Sequence, residues 1–189
     1  MYYINIILFI YFYLSLKGTA KIPANILKLP KGTTIETVNE NNFELIKAYD
    51  QQFQSINRSD VLRMTLLKPP IRRSMIAIRN GKCMGYIGIR HSDCSWNRIC
   101  PLIADDISIA ENLLHDVIAD FKLEGHQLHI FIPGENKKQA VPLLENYGID
   151  TFQNVITMMA TDIEKGKVLL DAIPWRKLFG LLYGYGTII

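Results

Sequence analysis

Apolar and polar positions alternate in short runs along part of the chain and recur at helical spacing in others. Residues 34–38, Thr-Ile-Glu-Thr-Val, have period two and predict a strand. Phe43, Leu45, Ile46 and Tyr49 repeat at helical spacing and predict a helix from 43 to about 53, capped by Asn41 or Asn42. A second helix carries Val61, Leu62, Met64, Thr65 and Leu66, starts at Asn57 or Ser59, and stops at Lys68-Pro69-Pro70. A β-meander follows. Residues 74–79 form an apolar strand, Asn80-Gly81 is a strong two-residue hairpin signal, and 82–90 return. The polar stretch 91–97 turns the chain into a third strand, 98–104. Asp105 or Asp106 then caps an amphipathic helix from 107 to about 122, with Ile109, Ala110, Leu113, Leu114, Val117, Ile118 and Phe121 on one face. Gly125 ends it. A strand at 127–132, a helix at 136–146 ended by Tyr147-Gly148, and a strand from about 154 to 160 complete the pattern.

The order strand, helix, helix, three strands, helix, strand, helix, strand predicts an α/β (α+β) domain. Its sheet is mixed, with at least one parallel pair. No repeat of fixed period interrupts it.

Two segments stand outside this pattern. Residues 2–16 are an apolar run broken by Asn5 and Ser15. As a helix the run reaches about 22 Å, short of the ~30 Å hydrocarbon core. It fits a signal-peptide core followed by small residues at 18–20, although no basic residue precedes it. A short anchor making membrane contact, or a mispredicted start, are the other readings. Residues 162–189 hold Trp175, Phe179, Leu181, Leu182, Tyr183 and Tyr185 interrupted by glycines. They are expected to pack on the domain as an edge strand or helix, or else to leave an apolar patch for a partner.

Composition narrows the class. The 189 residues are 49% apolar and 21% charged, which excludes a disordered chain or a multi-span membrane protein. A net charge of +3 does not point to nucleic acid. Three cysteines, an odd number, favour a reducing compartment and hence the cytoplasm over a secreted disulfide scaffold. In a secreted chain Asn57-Arg58-Ser59 would accept a glycan. His91 and Cys94 have metal-like spacing but no second ligand pair, so no metal site is expected.

Several pieces of this order resemble one family. Tyr49-Asp50 followed by Arg58, the strand Gly85-Tyr86-Ile87-Gly88-Ile89-Arg90, and Arg98-Ile99-Cys100-Pro101-Leu102-Ile103-Ala104-Asp105-Asp106 with Ala110 and Leu113-Leu114 are similar to GNAT acetyltransferases. More narrowly, they resemble the C-terminal domain of YitH-type, nematode-expanded members. Asn136, Ala140 and Gly148 match the late helix and its end. The resemblance divides the chain into an apolar leader or anchor (1–20), a linker (21–34), a GNAT-like domain (35–162) and a C-terminal extension (163–189).

It implies an acyl-CoA-dependent N-acyltransferase that moves an acetyl group from acetyl-CoA to a small-molecule or peptide amine. The donor would lie where strands 98–104 and 127–132 splay apart, its pantetheine arm added to the open edge as a peptide adds to a sheet. Leu102, Ile103, Ala104, Asp105, Asp106 and Asn136 are the implied cofactor contacts. The general base candidates are Asp50, His129, His91 and Glu135, and Tyr147 is the candidate acid. Two departures motivate the alternative of a non-catalytic GNAT-fold binding domain. The loop at 104–108 has two carboxylates and no glycine where a pyrophosphate would meet a helix N-terminus. Leu144 stands where many family members carry a proton-donating Tyr.

Overall fold

A computed structural model describes residues 11–53, 57–67, 72–91, 96–158 and 177–180. Eight strands are present among these: β1 (Tyr11–Thr19), β2 (Thr33–Thr37), β3 (Arg72–Arg79), β4 (Lys82–Arg90), β5 (Asn97–Ala104), β6 (Gln127–Pro133), β7 (Thr151–Met158) and β8 (Leu178–Gly180). The helices are α1 (Phe43–Asp50), α2 (Ser59–Leu66), α3 (Ile107–Asp120) and α4 (Lys137–Asn146), the last preceded by a 3-10 turn, Gly134–Asn136.

The strands form one mixed sheet in the order β2-β3-β4-β5-β6-β1-β7, and β8 pairs with β5 off this path. Only β5 and β6 run parallel, joined by the α3 crossover; the other pairs are antiparallel. The mixed α/β class read from the sequence is the observed one. The Asn80-Gly81 hairpin forms with both residues at positive φ, as a tight two-residue turn requires.

Each face of the sheet has its own core. Under α3 and α4, Leu16, Ile87, Ile99, Leu102, Leu113, Leu114, Val117, Leu128, Ile130 and Tyr147 pack together. Under α1 and α2, Phe43, Ile46, Tyr49, Leu62, Leu66, Ile76, Tyr86 and Ile103 form the second cluster. β5 feeds both cores, Ile99, Leu102 and Ala104 on the α3 side and Cys100 and Ile103 on the other, whereas Leu128, Ile130 and Ile132 of β6 alternate into the α3 side.

The chain outside the predicted boundaries differs from expectation. Residues 11–19, read as the second part of an apolar leader, form β1 and lie between β6 and β7, with Leu14 opposite Ile132 and Leu16 opposite Ile130. A strand with neighbours on both sides and a core beneath it reads as a continuous apolar run, the same signal a leader gives. Residues 2–10 lie outside the described residues. The segment read as a linker is stitched to the fold. Lys21 N–H donates to the Tyr147 carbonyl (3.0 Å), Leu27 N–H to Glu111 Oε2 (2.8 Å), and Asn112 Nδ2 to the Leu27 carbonyl (2.9 Å). In the extension, β8 pairs with β5 inside the sheet rather than at an edge. No helix among the described residues is long and apolar enough to cross a membrane.

Candidate active site at the splay of two central strands

The parallel ladder between β5 and β6 is short. Asn97, Arg98 and Ile99 pair with Leu128, His129 and Ile130, and the pairing stops there. Pro101 has no N–H to donate and sits just past the last pair, which is where a proline in a central strand is tolerated. Beyond it, Leu102 and Ile103 pair with Gly180 and Leu178 of β8. The wedge expected from the sequence is therefore present, and the chain's own tail lies on its β5 edge.

The implied cofactor contacts fall around this wedge. Leu102, Ile103 and Ala104 are completely buried in the two cores, so what they offer a ligand in the wedge is backbone. Asp106 is the cap of α3. Its carboxylate accepts from Ile109 N–H (2.9 Å) and from the Ser108 hydroxyl (2.6 Å). Asp105 makes a different set of bonds. It accepts from the Tyr49 hydroxyl (2.9 Å) and pairs with Lys177, the residue before β8, while its own N–H donates to the Met84 carbonyl. Asn136 is buried at the end of the 3-10 turn.

The three candidate catalytic residues are not brought together. Asp50 is buried and accepts from Arg58 Nε (3.1 Å) and the Tyr86 hydroxyl (2.7 Å), bracing the elbow between α1 and α2. Tyr147 is fully buried under α3, its hydroxyl donating to the Glu111 carbonyl (3.3 Å). Burial, then the charges of Glu111 and Asp116, push its phenol far up, so the hydroxyl keeps its proton and spends it on the Glu111 carbonyl.

His129 lies on β6 within the short ladder, opposite Arg98 and one position before the pairing ends. Its Nε2 lies 2.8 Å from Ser15 Oγ of β1, and its Nδ1 is 3.4 Å from Arg98. A guanidinium can only donate, so Nδ1 accepts and the ring proton sits on Nε2, donated to Ser15. The ring packs on Phe131, and the two nearby cations lie over aromatic faces, Lys17 on Trp96 and Arg98 on Phe131. Burial first, then Arg98 and Lys17, lower the His129 pKa from 6.5 to about 4. Lys17 and Arg98 carry this electrostatics, Ser15 holds the ring and Lys177 pairs with Asp105; none of the four was a candidate site residue from the sequence. Ser15 interrupting an apolar run was the one visible signal.

The lowered pKa has a stability consequence. Between pH 6.5 and about 4 the unfolded chain binds a proton at His129 that the folded chain does not. Stability is complete above the unfolded value and falls as pH drops through that window, by about 3 kcal/mol in all. Urea denaturation across the window should show this slope in the wild type and lose it in His129→Gln. An unchanged slope in the variant would remove His129 as its source.

Other candidates resolve simply. Cys83 and Cys100 are buried, and burial raises the Cys83 thiol to about 12. His91 Nδ1 pairs with Asn97 Oδ1 at 2.8 Å, and Cys94 lies outside the described residues. No group of three or more His, Cys, Asp or Glu that could hold a metal occurs among the described residues.

The family model described as an acetyltransferase (GNAT) domain matches residues 46–168. The chain belongs to that family. Among solved structures it is similar to an acetyltransferase-like protein from Pyrococcus horikoshii, at 17% identity and a TM-score of 0.61, covering 95% of this chain and 53% of that one. It is also similar to a GCN5-related N-acetyltransferase from Sphaerobacter thermophilus, at 13% identity and a TM-score of 0.57, covering 79% and 49%. A third, from Kribbella flavida, is 8% identical with a TM-score of 0.55, covering 85% and 62%. At these identities the likeness is one of fold, and the chain spans about half the length of the first two. No curated protein matches the sequence.

Proposed function

We propose that this GNAT domain is an acyl-CoA-dependent N-acyltransferase that passes an acetyl group to a small-molecule or peptide amine. The observation that carries the reading is the end of the β5–β6 ladder at Ile99 and Ile130. Past that point β5 is free of β6, and its backbone, where β8 now pairs at Leu102 and Ile103, is the kind of edge that bonds an extended amide-bearing arm such as pantetheine. The fit is uneven. The strand edge suits the arm, whereas the start of α3 suits a pyrophosphate poorly. Asp106 already occupies the Ile109 N–H, and a second carboxylate stands beside it. Each carboxylate close to a phosphate opposes it by about 1 kcal/mol in water and by more when shielded.

The chemistry follows from what the residues can do. The amine attacks the thioester carbonyl, the C–N bond forms, and the C–S bond breaks with its electron pair leaving on sulfur. At a pKa of about 4, His129 is too weak a base to strip an ammonium at neutral pH. Tyr147 and Asp50 are committed elsewhere. The acceptor therefore enters as the free amine, its proton passes to water after attack, and the thiolate is protonated by solvent. The domain would supply positioning, which alone accounts for much of the barrier in such transfers.

The test is acetyl transfer from acetyl-CoA by the full chain to a panel of primary amines. The rate should rise tenfold per pH unit until the acceptor amine is fully deprotonated, with no inflection from an enzyme base. Tyr147→Phe should keep the wild-type rate. A tenfold or larger loss in that variant with its fold intact would restore Tyr147 as the acid and overturn the solvent route. Absence of both transfer and CoA binding at millimolar ligand would overturn the enzyme reading.

A non-catalytic binding domain is the second reading. The engagement of Asp105 by Lys177 and the presence of β8 on the donor edge favour it. Measurable transfer by the wild-type chain ends it. The similarity to YitH-type members and the reduced, buried cysteines support a cytoplasmic protein of that subgroup under either reading. Nothing in its charge calls for nucleic acid as a partner.

A further inference from the structure

We propose that the segment 177–180 is a donor-site strand supplied in cis: it and acyl-CoA add to the same β5 edge in mutual exclusion, and the Lys177–Asp105 ion pair holds the closed state. This rests on the acyltransferase reading and adds its regulation.

Position is the first argument. β8 pairs with Leu102 and Ile103, the residues at which β5 has left β6. A backbone N–H or C=O of β5 that is bonded to β8 is not available to another strand-like ligand. A peptide segment and a pantetheine arm make the same kind of amide bond to an open strand, so they are competitors by chemistry as well as by place.

The latch is the second argument. Lys177 lies beside Asp105 at the start of α3 and above the rings of Tyr49 and Phe53, 5.6 and 5.3 Å from their centroids. Its ammonium thus sits on the carboxylate that would face a donor phosphate. With Lys177 in place Asp105 is neutralised by the tail. When the tail leaves, the same carboxylate keeps its bond from the Tyr49 hydroxyl.

Displaceability is the third. The described part of β8 is three residues long, and its register on β5 shifts between Leu102 and Ile103. Phe179 is fully buried in the larger core and is its main apolar anchor. Burial of one aromatic ring is of the same order as the entropy lost in ordering a few residues, so a ligand with its own amide bonds can compete. Lys177 and Asp105 are both partly exposed, so their pair biases the balance without fixing it.

The experiment uses the full chain and CoA itself as probe, followed by calorimetric titration. Ile103 and Leu178 are cross-strand partners, a register that suits a disulfide. In the Ile103→Cys/Leu178→Cys variant, with the bridge located by mass spectrometry, the oxidised form should bind CoA at least tenfold more weakly than the same protein reduced. Lys177→Ala, at a partly exposed position, should fold normally and bind CoA roughly three- to tenfold more tightly than wild type, the effect of losing a modest ion pair. Equal affinity of the oxidised and reduced forms overturns the competition while leaving the donor site standing. Wild-type affinity in Lys177→Ala overturns the latch. If no form binds CoA, reduced and Lys177→Ala included, the acyltransferase reading itself falls and the competition with it.

Discussion

Asp50→Ala is expected to destabilise the fold by about 3–5 kcal/mol, the usual result of removing one partner from a buried ion pair. Asp50 and Arg58 are both buried, and Tyr86 adds its hydroxyl to the same carboxylate. Removal of the carboxylate takes the opposite charge from a buried guanidinium at the α1–α2 elbow, whose desolvation it no longer offsets. Since α1 and α2 cover the β3–β5 half of the sheet, the second core loosens with them. A chemical-denaturation midpoint measures the loss. The double variant Asp50→Ala/Arg58→Met should recover much of it, because the desolvated charge is gone and an apolar chain fills part of the space. If Asp50 were the general base, the single variant would lose transfer while keeping its midpoint, and the second substitution would not restore transfer.

The elements that could be read from the sequence are those whose partners lie nearby. The Asn80-Gly81 hairpin needs only the two strands beside it, and both turn residues take the positive φ that the dipeptide predicts. The α3 stripe of Ile109, Leu113, Leu114, Val117 and Ile118 has a single reading and is buried as expected. At the α3 cap the sequence left two carboxylates open. The structure divides their work: Asp106 caps the helix, and Asp105 reaches across to Tyr49 and Lys177.

What escaped the sequence is long-range. β1 is more than 100 positions from its partner β6, and its unbroken apolar run carries the same signature as a leader. The described part of β8 is three residues, too few for a strand's alternation to stand out, and Leu-Phe-Gly does not announce a partner in β5. The wedge itself was reached through resemblance to a family. Its one local trace was Pro101, a residue without a donor in a strand whose neighbours are all buried. Separation of the candidate catalytic residues also required coordinates, since it depends on which face of α3 and which side of the sheet each side chain meets.

Gly18→Ala is the sharpest test of that long-range assembly. A Cβ at Gly18 would lie 1.8 Å from the Gly148 carbonyl oxygen and 2.7 Å from Ile149 Cα, both of them backbone atoms. The opposing residue cannot make room. Gly148 sits at φ +78 after α4, a conformation that side chains resist, and its own missing Cβ faces the Thr19 carbonyl at 2.3 Å. The two segments meet backbone to backbone and are tied by Lys21 N–H donating to the Tyr147 carbonyl at 3.0 Å. An added methyl must push the end of β1 away from the α4–β7 turn and stretch that bond. Because no flexible side chain can absorb the clash, the expected cost is at the upper end for overpacking, about 3 kcal/mol. Gly125→Ala is the matched control: φ is +80 there but nothing lies within 4 Å, so only the strain of a left-handed alanine remains, about 1 kcal/mol. Denaturant midpoints of the two variants separate steric interlock from backbone strain. They also separate the two accounts of residues 11–19: an apolar leader apart from the fold would leave the Gly18→Ala midpoint where it was, whereas a strand held between β6 and β7 lowers it well below that of Gly125→Ala.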